Sequence, residues 1–446
     1  MKLFALIDCS SFYCSCERAF RPDLKDKPIC VLSNNDGAVV SLTPEVKALG
    51  VMVGTPFYQV KKTLEEFKVS VFSSNYCLYA DMSRRVMQVI SRFSDEVEQC
   101  SIDEAFIYLN TDEDNIADER IRLQNLAETM YREVLKGTGI PVRISIAETK
   151  TLAKVGSEYA KKLLKAKKIP CVCFWEHEDK ATFIENLSIT DVWGVGRAWG
   201  RRLQDVGLLT ARDLMNAEPL AMRKKYNVVL ERTCLELKGI PCIFLDLVGE
   251  QRKSLIRSRM FGQKVTDPKL ILQAVSTHIG RGAEKLRQEK LICSRITVYI
   301  STGRHAELRY QGTASANLVR ATNDTFILNR VAFNLFKKCF KKYANNGELF
   351  QYVKAGVVFN DLNPESSQVN SLFDFMNTDK NEVMDALDRI NKKYGQHSLV
   401  LASQGTPDKL KRINSAKKNA SGWGMKRNLM SPRFTTVWEE LMEVKL

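Results

Sequence analysis

Two apolar runs about a hundred residues apart, KLFALID at the start of the chain and SIDEAFIYL further on, both abut carboxylates. Asp8 ends the first run, and Asp103 and Glu104 stand side by side in the second. Apolar runs of this length pair into a sheet interior, where a carboxylate without a counter-charge is costly. Buried or crowded, these acids need a cation to neutralise them. Three such acids on neighbouring strands fit a site that holds Mg²⁺ and transfers a phosphoryl group. Adjacent residues on a regular strand point to opposite faces, so Asp103 and Glu104 share a metal only if a turn or bulge re-aims one of them. Each acid also has a plainer reading. Asp8 could be the N-cap of a helix at SSFYCSCERAF, and the Asp-Glu pair could be a hairpin corner.

At 446 residues the chain is too long for one hydrophobic core, and two to four domains are expected. No apolar run approaches the roughly 18 residues of a membrane helix. LFALI is too short for a signal-peptide core, so a cytoplasmic protein with no membrane partner is expected. The net charge of +15 is concentrated: residues 251–345 hold 19 Lys and Arg against 5 Asp and Glu. Such a block is the electrostatic footprint of a phosphate backbone, or else a solvated surface that aids solubility. Twelve cysteines occur without a CxxC pair. Cys171, Cys173 and His177 are the nearest approach to a zinc cluster, but CVCF reads better as a buried strand in a reducing compartment.

The first 170 or so residues alternate strand-like and helix-like segments, a mixed α/β pattern. ICVLSNN and AVVSL flank the turn Asn35-Asp36-Gly37, a hairpin signal. Helices are predicted over 45–49, 123–136 and 151–167, with VRISIAE as a strand. Residues 187–241 read as helical, with Gly194-Val195-Gly196 between two helical stretches. That turn is either a helix-hairpin-helix gripping a DNA backbone or a tight turn with no ligand. The basic block predicts strand (SLIRSRMFG), helix (271–288), strand (RITVYIS), strand (307–311), helix (324–342) and strand (YVKAGVVF). This βαββαβ order suggests a ferredoxin-like arrangement whose sheet gives the basic residues a broad face. Beyond Leu362 periodicity weakens, apart from a helix over 381–393, and KLKRINSAKKNASGWGMKRN reads as disordered or folded on binding.

IDCSSFYCSCE, NNDGAVV, SSNYCLYADMS, SIDEAF, ETKTLAK and DVWGVG follow one another as in the Y-family translesion DNA polymerases. YNVVLERTCLELKG and MKRNLMSPRFTT are similar to the UmuC-type subgroup, the catalytic subunit of bacterial DNA polymerase V. The resemblance covers nearly the whole chain and implies an error-prone polymerase of the SOS response. It implies a right hand of palm (1–26 and 76–170), small fingers (27–75), helix-hairpin-helix thumb (171–243), little finger (244–361) and partner-binding tail (362–446). Asp8, Asp103 and Glu104 match the metal-binding acids, and the carbonyl of Cys9 matches a further ligand for two Mg²⁺. Tyr13 falls at the steric gate, where an aromatic ring against the sugar excludes a 2′-hydroxyl. Phe12, its neighbour at the nucleotide, more readily packs in the core.

Lys47 and Lys161 match cations that hold the incoming triphosphate, and Ser41 a hydroxyl near the same phosphates. Gly194 and Gly196 in the thumb, and Lys337, Lys338, Lys341 and Lys342 in the little finger, are the DNA-backbone candidates. The sequence departs from the family at SLTPEVKALG, where Leu42 and Pro44 replace an Ala-Arg pair and a small or aromatic residue. In the tail, Gln368, Leu372 and Phe373 resemble a sliding-clamp peptide. The family further implies primer-template DNA and dNTPs as substrates, a cleaved UmuD-type dimer and a RecA filament as partners, and a nucleoid-associated bacterial location. Two other readings stay open: a polymerase-shaped subunit that occupies stalled forks with weak catalysis, and a two-metal nuclease, which gives no reason for Tyr13.

Overall fold

The computed structural model describes residues 1–112, 114–166, 168–249, 251–367, 381–395, 398–405 and 427–441. The chain divides into two compact units. One comprises Met1–Gly249 with Arg427–Leu446, the other Glu250–Lys426.

The first unit opens with β1 (Lys2–Cys9) and α1 (Phe12–Ala19). A small lobe follows: β2 (Ile29–Leu32), β3 (Val39–Leu42), α2 (Pro44–Ala48), α3 (Phe57–Glu66) and β4 (Ser70–Ser73), with sheet order β3-β2-β4. The predicted hairpin is present, and its left-handed residues are Asn35 (φ 61°) and Asp36 (φ 52°), which tolerate that region by local side-chain hydrogen bonding. The chain continues through α4 (Tyr76–Ile90), β5 (Val97–Gln99), β6 (Glu104–Asn110), α5 (Ile116–Thr138), β7 (Val142–Ala147), α6 (Lys150–Lys165) and β8 (Cys171–Cys173). These strands build the sheet β5-β6-β1-β7-β8, with β1 in the middle. Leu3 to Ile7 are buried because the sheet is covered on both faces. CVC is a buried strand as expected, and its two thiols are free. It completes this sheet and so pairs with β7, whereas the family resemblance implied a thumb that begins at residue 171.

Short helices follow: α7 (Lys180–Asn186), α8 (Arg197–Gln204), α9 (Ala211–Asn216), α10 (Pro219–Lys225) and α11 (Val228–Leu237). Residues 244–246 stay bound to this unit. Lys150, buried in α6, donates to Glu98 Oε2 at 2.5 Å and to the Phe244 carbonyl at 3.0 Å, and the Asp246 amide donates to the same Glu98 oxygen at 2.9 Å. The division between units therefore falls near residue 249, not at the expected 243.

The second unit contains β9 (Ser254–Val265), α12 (Pro268–Gln288), β10 (Leu291–Ser301), β11 (Gln311–Thr322), α13 (Thr325–Cys339), β12 (Tyr352–Pro364) and α14 (Asn381–Tyr394). The element order is the expected βαββαβ. Two details differ. The strand expected at 307–311 lies instead at Gln311–Thr322, whose small and polar residues (QGTASANLVRAT) carry little apolar signal. The sheet order is β11-β10-β12-β9, so β12 separates β9 from β10, where a ferredoxin-like sheet places its third strand. Side-chain chemistry explains this. β12 buries Ala355, Val357 and Phe359 and suits an interior position, whereas polar β11 tolerates an edge.

The outward face of this sheet carries its cations on the flanking rows, Arg295 beside Asn317 and Asn360, and Lys354 beside Ser301 and Met260. Across its centre run Ser315, Thr297, Val358 and Ile256, then Thr313, Tyr299, Gly356 and Ser258. The expected single tail is also divided: β12 runs to Pro364, α14 belongs to the second unit, and residues 427–441 return to the first. Gln368, Leu372, Phe373 and residues 406–426 lie outside the described residues.

Candidate active site

β1 ends where the covered sheet opens, and Asp8 is its first partly exposed residue after five buried ones. Asp8 sits opposite Glu104 of β6 on one side and opposite Arg143 of β7 on the other. Directly opposed residues of antiparallel strands project from one face, so these three side chains share an edge. Asp103 lies in the bend just before β6, and its carbonyl accepts the Cys9 amide at 2.8 Å. Asp103 thus stands just outside the paired residues of β6.

Each carboxylate has a neighbour. Arg143 Nη2 donates to Asp8 Oδ2 at 2.6 Å, and Ser101 Oγ donates to Asp103 Oδ1 at 2.6 Å. Lys154 Nζ, one turn into α6, donates to Glu104. Burial pushes the Asp8 pKa up; the Arg143 and Lys154 charges oppose this and Glu104 adds to it. Burial also holds the Cys9 thiol well above its ordinary value. Among the described residues, no three His, Cys, Asp or Glu side chains converge as a metal site, since Asp8 and Glu104 are turned onto cations. The donor chemistry nevertheless fits Mg²⁺: carboxylate oxygens at one sheet edge, with Arg143 and Lys154 compensating charge that a hard cation would otherwise balance.

Tyr13 is reached from this edge through Ser11, whose left-handed backbone (φ 45°) turns the chain from β1 into α1. The Tyr13 ring is half-buried and stacks on Tyr79 of α4 with centroids 4.5 Å apart and planes 14° from parallel. Tyr76 meets it edge-on at 6.0 Å. Asp103 is near enough for its charge to add to the burial that raises the Tyr13 pKa. Phe12 is only 3 % exposed and packs in the core, so the nucleotide contact assigned to it does not extend to its ring.

The phosphate candidates are less concentrated. Ser41 is buried, and its hydroxyl lies 3.4 Å from the Cys14 sulfur, in the interior. Lys47 is exposed on α2. Pro44 occupies the first turn of that helix, where its missing N–H costs nothing, so the unusual 41–46 segment leaves the backbone regular. Lys161, two turns beyond Lys154 on α6, pairs with Glu158. Gly194 has φ 88° and Gly196 is the N-cap of α8, whose Arg197, Arg201 and Arg202 are exposed. Lys337 and Lys338 close the last turn of α13; Lys341 and Lys342 follow it, and all four are exposed on the helical layer and its end.

Arg143, Lys154, Tyr79 and Glu17 escaped the sequence reading. VRISIAE reads only as a strand, and no local pattern tells which strand it will flank. Lys154 stands in ETKTLAK and Glu17 in IDCSSFYCSCE, stretches that carry the family resemblance without singling out either residue.

The impB/mucB/samB family matches residues 7–158, and its C-terminal domain matches residues 252–372. A domain of unknown function matches residues 381–444. Protein UmuC of Salmonella typhimurium is 38% identical, covering 99% of this chain and 100% of its own length. DNA polymerase IV 1 of Bacillus subtilis is 26% identical over 87% of this chain and 90% of its own. Among solved structures, a Y-family DNA polymerase chimera of Dbh and Dpo4 superposes with a TM-score of 0.63 at 19% identity, covering 81% of this chain and 99% of that one. With the acids of β1 and β6 in register at one sheet edge, this similarity over the whole length places the chain in the impB/mucB/samB family, as a UmuC-type Y-family DNA polymerase.

Proposed function

We propose that this chain is an error-prone translesion DNA polymerase that extends a primer opposite damaged template bases, the catalytic subunit of a polymerase V-like SOS mutagenesis complex. The observation that carries this reading is the pairing of Asp8 with Glu104 across β1 and β6, with Asp103 in the adjoining bend. The reaction depends on a divalent metal, and we assign two Mg²⁺ to Asp8, Asp103, Glu104 and the Cys9 carbonyl. Bound there, the cations would supply charge neutralisation at the triphosphate and activation of the primer hydroxyl. The protein's own part is to hold the acids at one edge and keep Arg143 and Lys154 beside them. Tyr13 closes the sugar side. Its support by Tyr79 and Tyr76 favours a ring that resists displacement by a 2′-hydroxyl.

In this reading the five-stranded sheet with its helices is the palm, β2–β4 with α2 and α3 the fingers, α7–α11 the thumb, and β9–β12 with α12 and α13 the little finger. Lys47 and Lys161 approach the triphosphate when it binds; the α8 turn and the lysines after α13 take the DNA backbone. A cleaved UmuD-type dimer, a RecA filament and the sliding clamp complete the assembly, in the bacterial cytoplasm near the nucleoid. Among the described residues no helix is long and apolar enough to cross a membrane.

The test is primer extension on an abasic template with Mg²⁺ and dNTPs, comparing wild type with Glu104→Ala, each with and without accessory protein, activated recombinase and clamp. Extension by the wild type that the variant loses, with DNA binding retained, supports the polymerase. No extension under any condition, with DNA binding intact, means a fork-occupying subunit. Strand cleavage without nucleotide means a nuclease.

A further inference from the structure

Residues 427–441, at the end of the domain of unknown function, lie along the first unit in a specific seat. Ser73 at the end of β4 exchanges two bonds with Leu429: its amide donates to the Leu429 carbonyl at 3.0 Å, and its hydroxyl accepts the Leu429 amide at 3.0 Å. Met430 thereby pairs with Ser73 along the free edge of β4. Asn75, buried at the start of α4, donates from Nδ2 to Ser431 Oγ at 3.0 Å, to the Ser431 carbonyl at 3.2 Å and to the Pro432 carbonyl at 3.1 Å. Phe434 stacks on Phe20 at 5.0 Å, with planes 11° apart.

The seat connects to the gate in two steps. Ser431 Oγ donates to Glu17 Oε1 at 3.0 Å, and Tyr79 Oη donates to the same oxygen at 2.6 Å. Glu17 is fully buried, and its other oxygen has no hydrogen-bond partner among the described residues. A buried carboxylate with so few donors is sensitive to the loss of either one. Tyr79, anchored through its hydroxyl, presents its ring to Tyr13. The last described segment of the chain thus supports, through Glu17 and Tyr79, the ring read here as the sugar gate.

We infer that the C-terminal segment is a strap that sets the sugar selectivity of the polymerase, with Ser431 and Asn75 as positioning residues for Tyr13. The inference rests on the reading of Tyr13 as the steric gate. With Ser431 removed, Glu17 is held by Tyr79 alone, the Tyr79 ring tilts more freely, and Tyr13 gives way to a 2′-hydroxyl. The ground for this is tertiary. Glu17 and Ser431 are 414 positions apart.

The experiment is single-nucleotide insertion by the full-length protein, under conditions that support primer extension, with kcat/KM measured for a dNTP and the matching rNTP. Tyr13→Ala is the control for the gate itself. Ser431→Ala and Asn75→Ala are expected to raise relative ribonucleotide insertion by roughly threefold to tenfold, the scale of one lost hydrogen bond. Insertion of the dNTP should change by less than about twofold on the same scale. Ser431→Thr, which keeps the hydroxyl, should restore selectivity. Should Ser431→Ala fold poorly, Tyr79→Phe reads the same link from the other side, since it keeps the ring and removes only the bond to Glu17. If Tyr13→Ala relaxes selectivity while Ser431→Ala, Asn75→Ala and Tyr79→Phe leave it unchanged, the strap has no such role. If Tyr13→Ala itself leaves selectivity unchanged, the gate reading fails and the inference with it.

Discussion

Asp8 and Arg143, 135 positions apart in sequence, meet at 2.6 Å across the β1–β7 pair, and both side chains are at most one-fifth exposed. The pair lets an apolar central strand end on a carboxylate without leaving that charge uncompensated. Lys154 does the same for Glu104 from the adjacent helix. Two of the three acids are thus charge-compensated within the fold itself, which lets them stand at the open end of a stable sheet.

Removing Arg143 should therefore cost stability through Asp8. Arg143→Ala is expected to lose about 1–3 kcal/mol, the cost of leaving a partly buried carboxylate without its partner. Asp8→Asn in the same chain should recover part of that loss. Denaturant unfolding of both single variants and the double variant measures the coupling; additive effects would mean that the pair contributes nothing.

α6 carries Lys150, Lys154 and Lys161, and its position depends on Gly156. A Cβ at 156 would collide with Ser145 Oγ and come within 2.9 Å of Phe174 Cβ. Gly156→Ala is expected to destabilise the first unit by about 1–3 kcal/mol, as overpacking does. A melting temperature equal to wild type would show that the helix shifts freely.

The exposed lysines at and beyond the end of α13 are assigned to the DNA backbone. Replacing Lys337, Lys338, Lys341 and Lys342 by Ala should weaken DNA affinity. It should also reduce the slope of log K against log salt by up to about 0.9 for each lysine that touches a phosphate. A titration series from low to moderate salt reads this directly. An unchanged slope would move the interface elsewhere, the exposed arginines of α8 being the next candidates.

His278 gives the second unit a pH dependence. It is buried in α12, its Nε2 has no partner among the described residues, and its pKa is lowered from 6.5 to about 3, first by burial and then by Arg259, Arg281 and Arg257. Between those two values the unfolded chain binds a proton that the folded imidazole refuses. Stability should thus fall as pH drops below about 6.5, by up to about 1.4 kcal/mol per pH unit. Thermal melts from pH 7 to 5 should show this slope, and His278→Gln should flatten it. A variant with the wild-type slope would assign the effect to other groups.

The sequence by itself determined the local elements and the identity of the acids. Apolar runs of strand length, the Asn35-Asp36-Gly37 turn, the first-turn Pro44 and the βαββαβ order are set by backbone preference and short-range periodicity, and those survive into the fold. Asp8, Asp103 and Glu104 were visible because acids interrupting apolar runs are conspicuous wherever they fold. Tertiary structure decided everything that depends on which strand lies beside which. It placed Arg143 against Asp8, seated polar β11 at an edge and put β12 between β9 and β10. It also returned Ser431 to Glu17 across most of the chain's length. The reason is physical: propensity acts over a few residues, whereas these choices are made by burial and charge compensation between segments far apart in sequence, and no single segment encodes its partner.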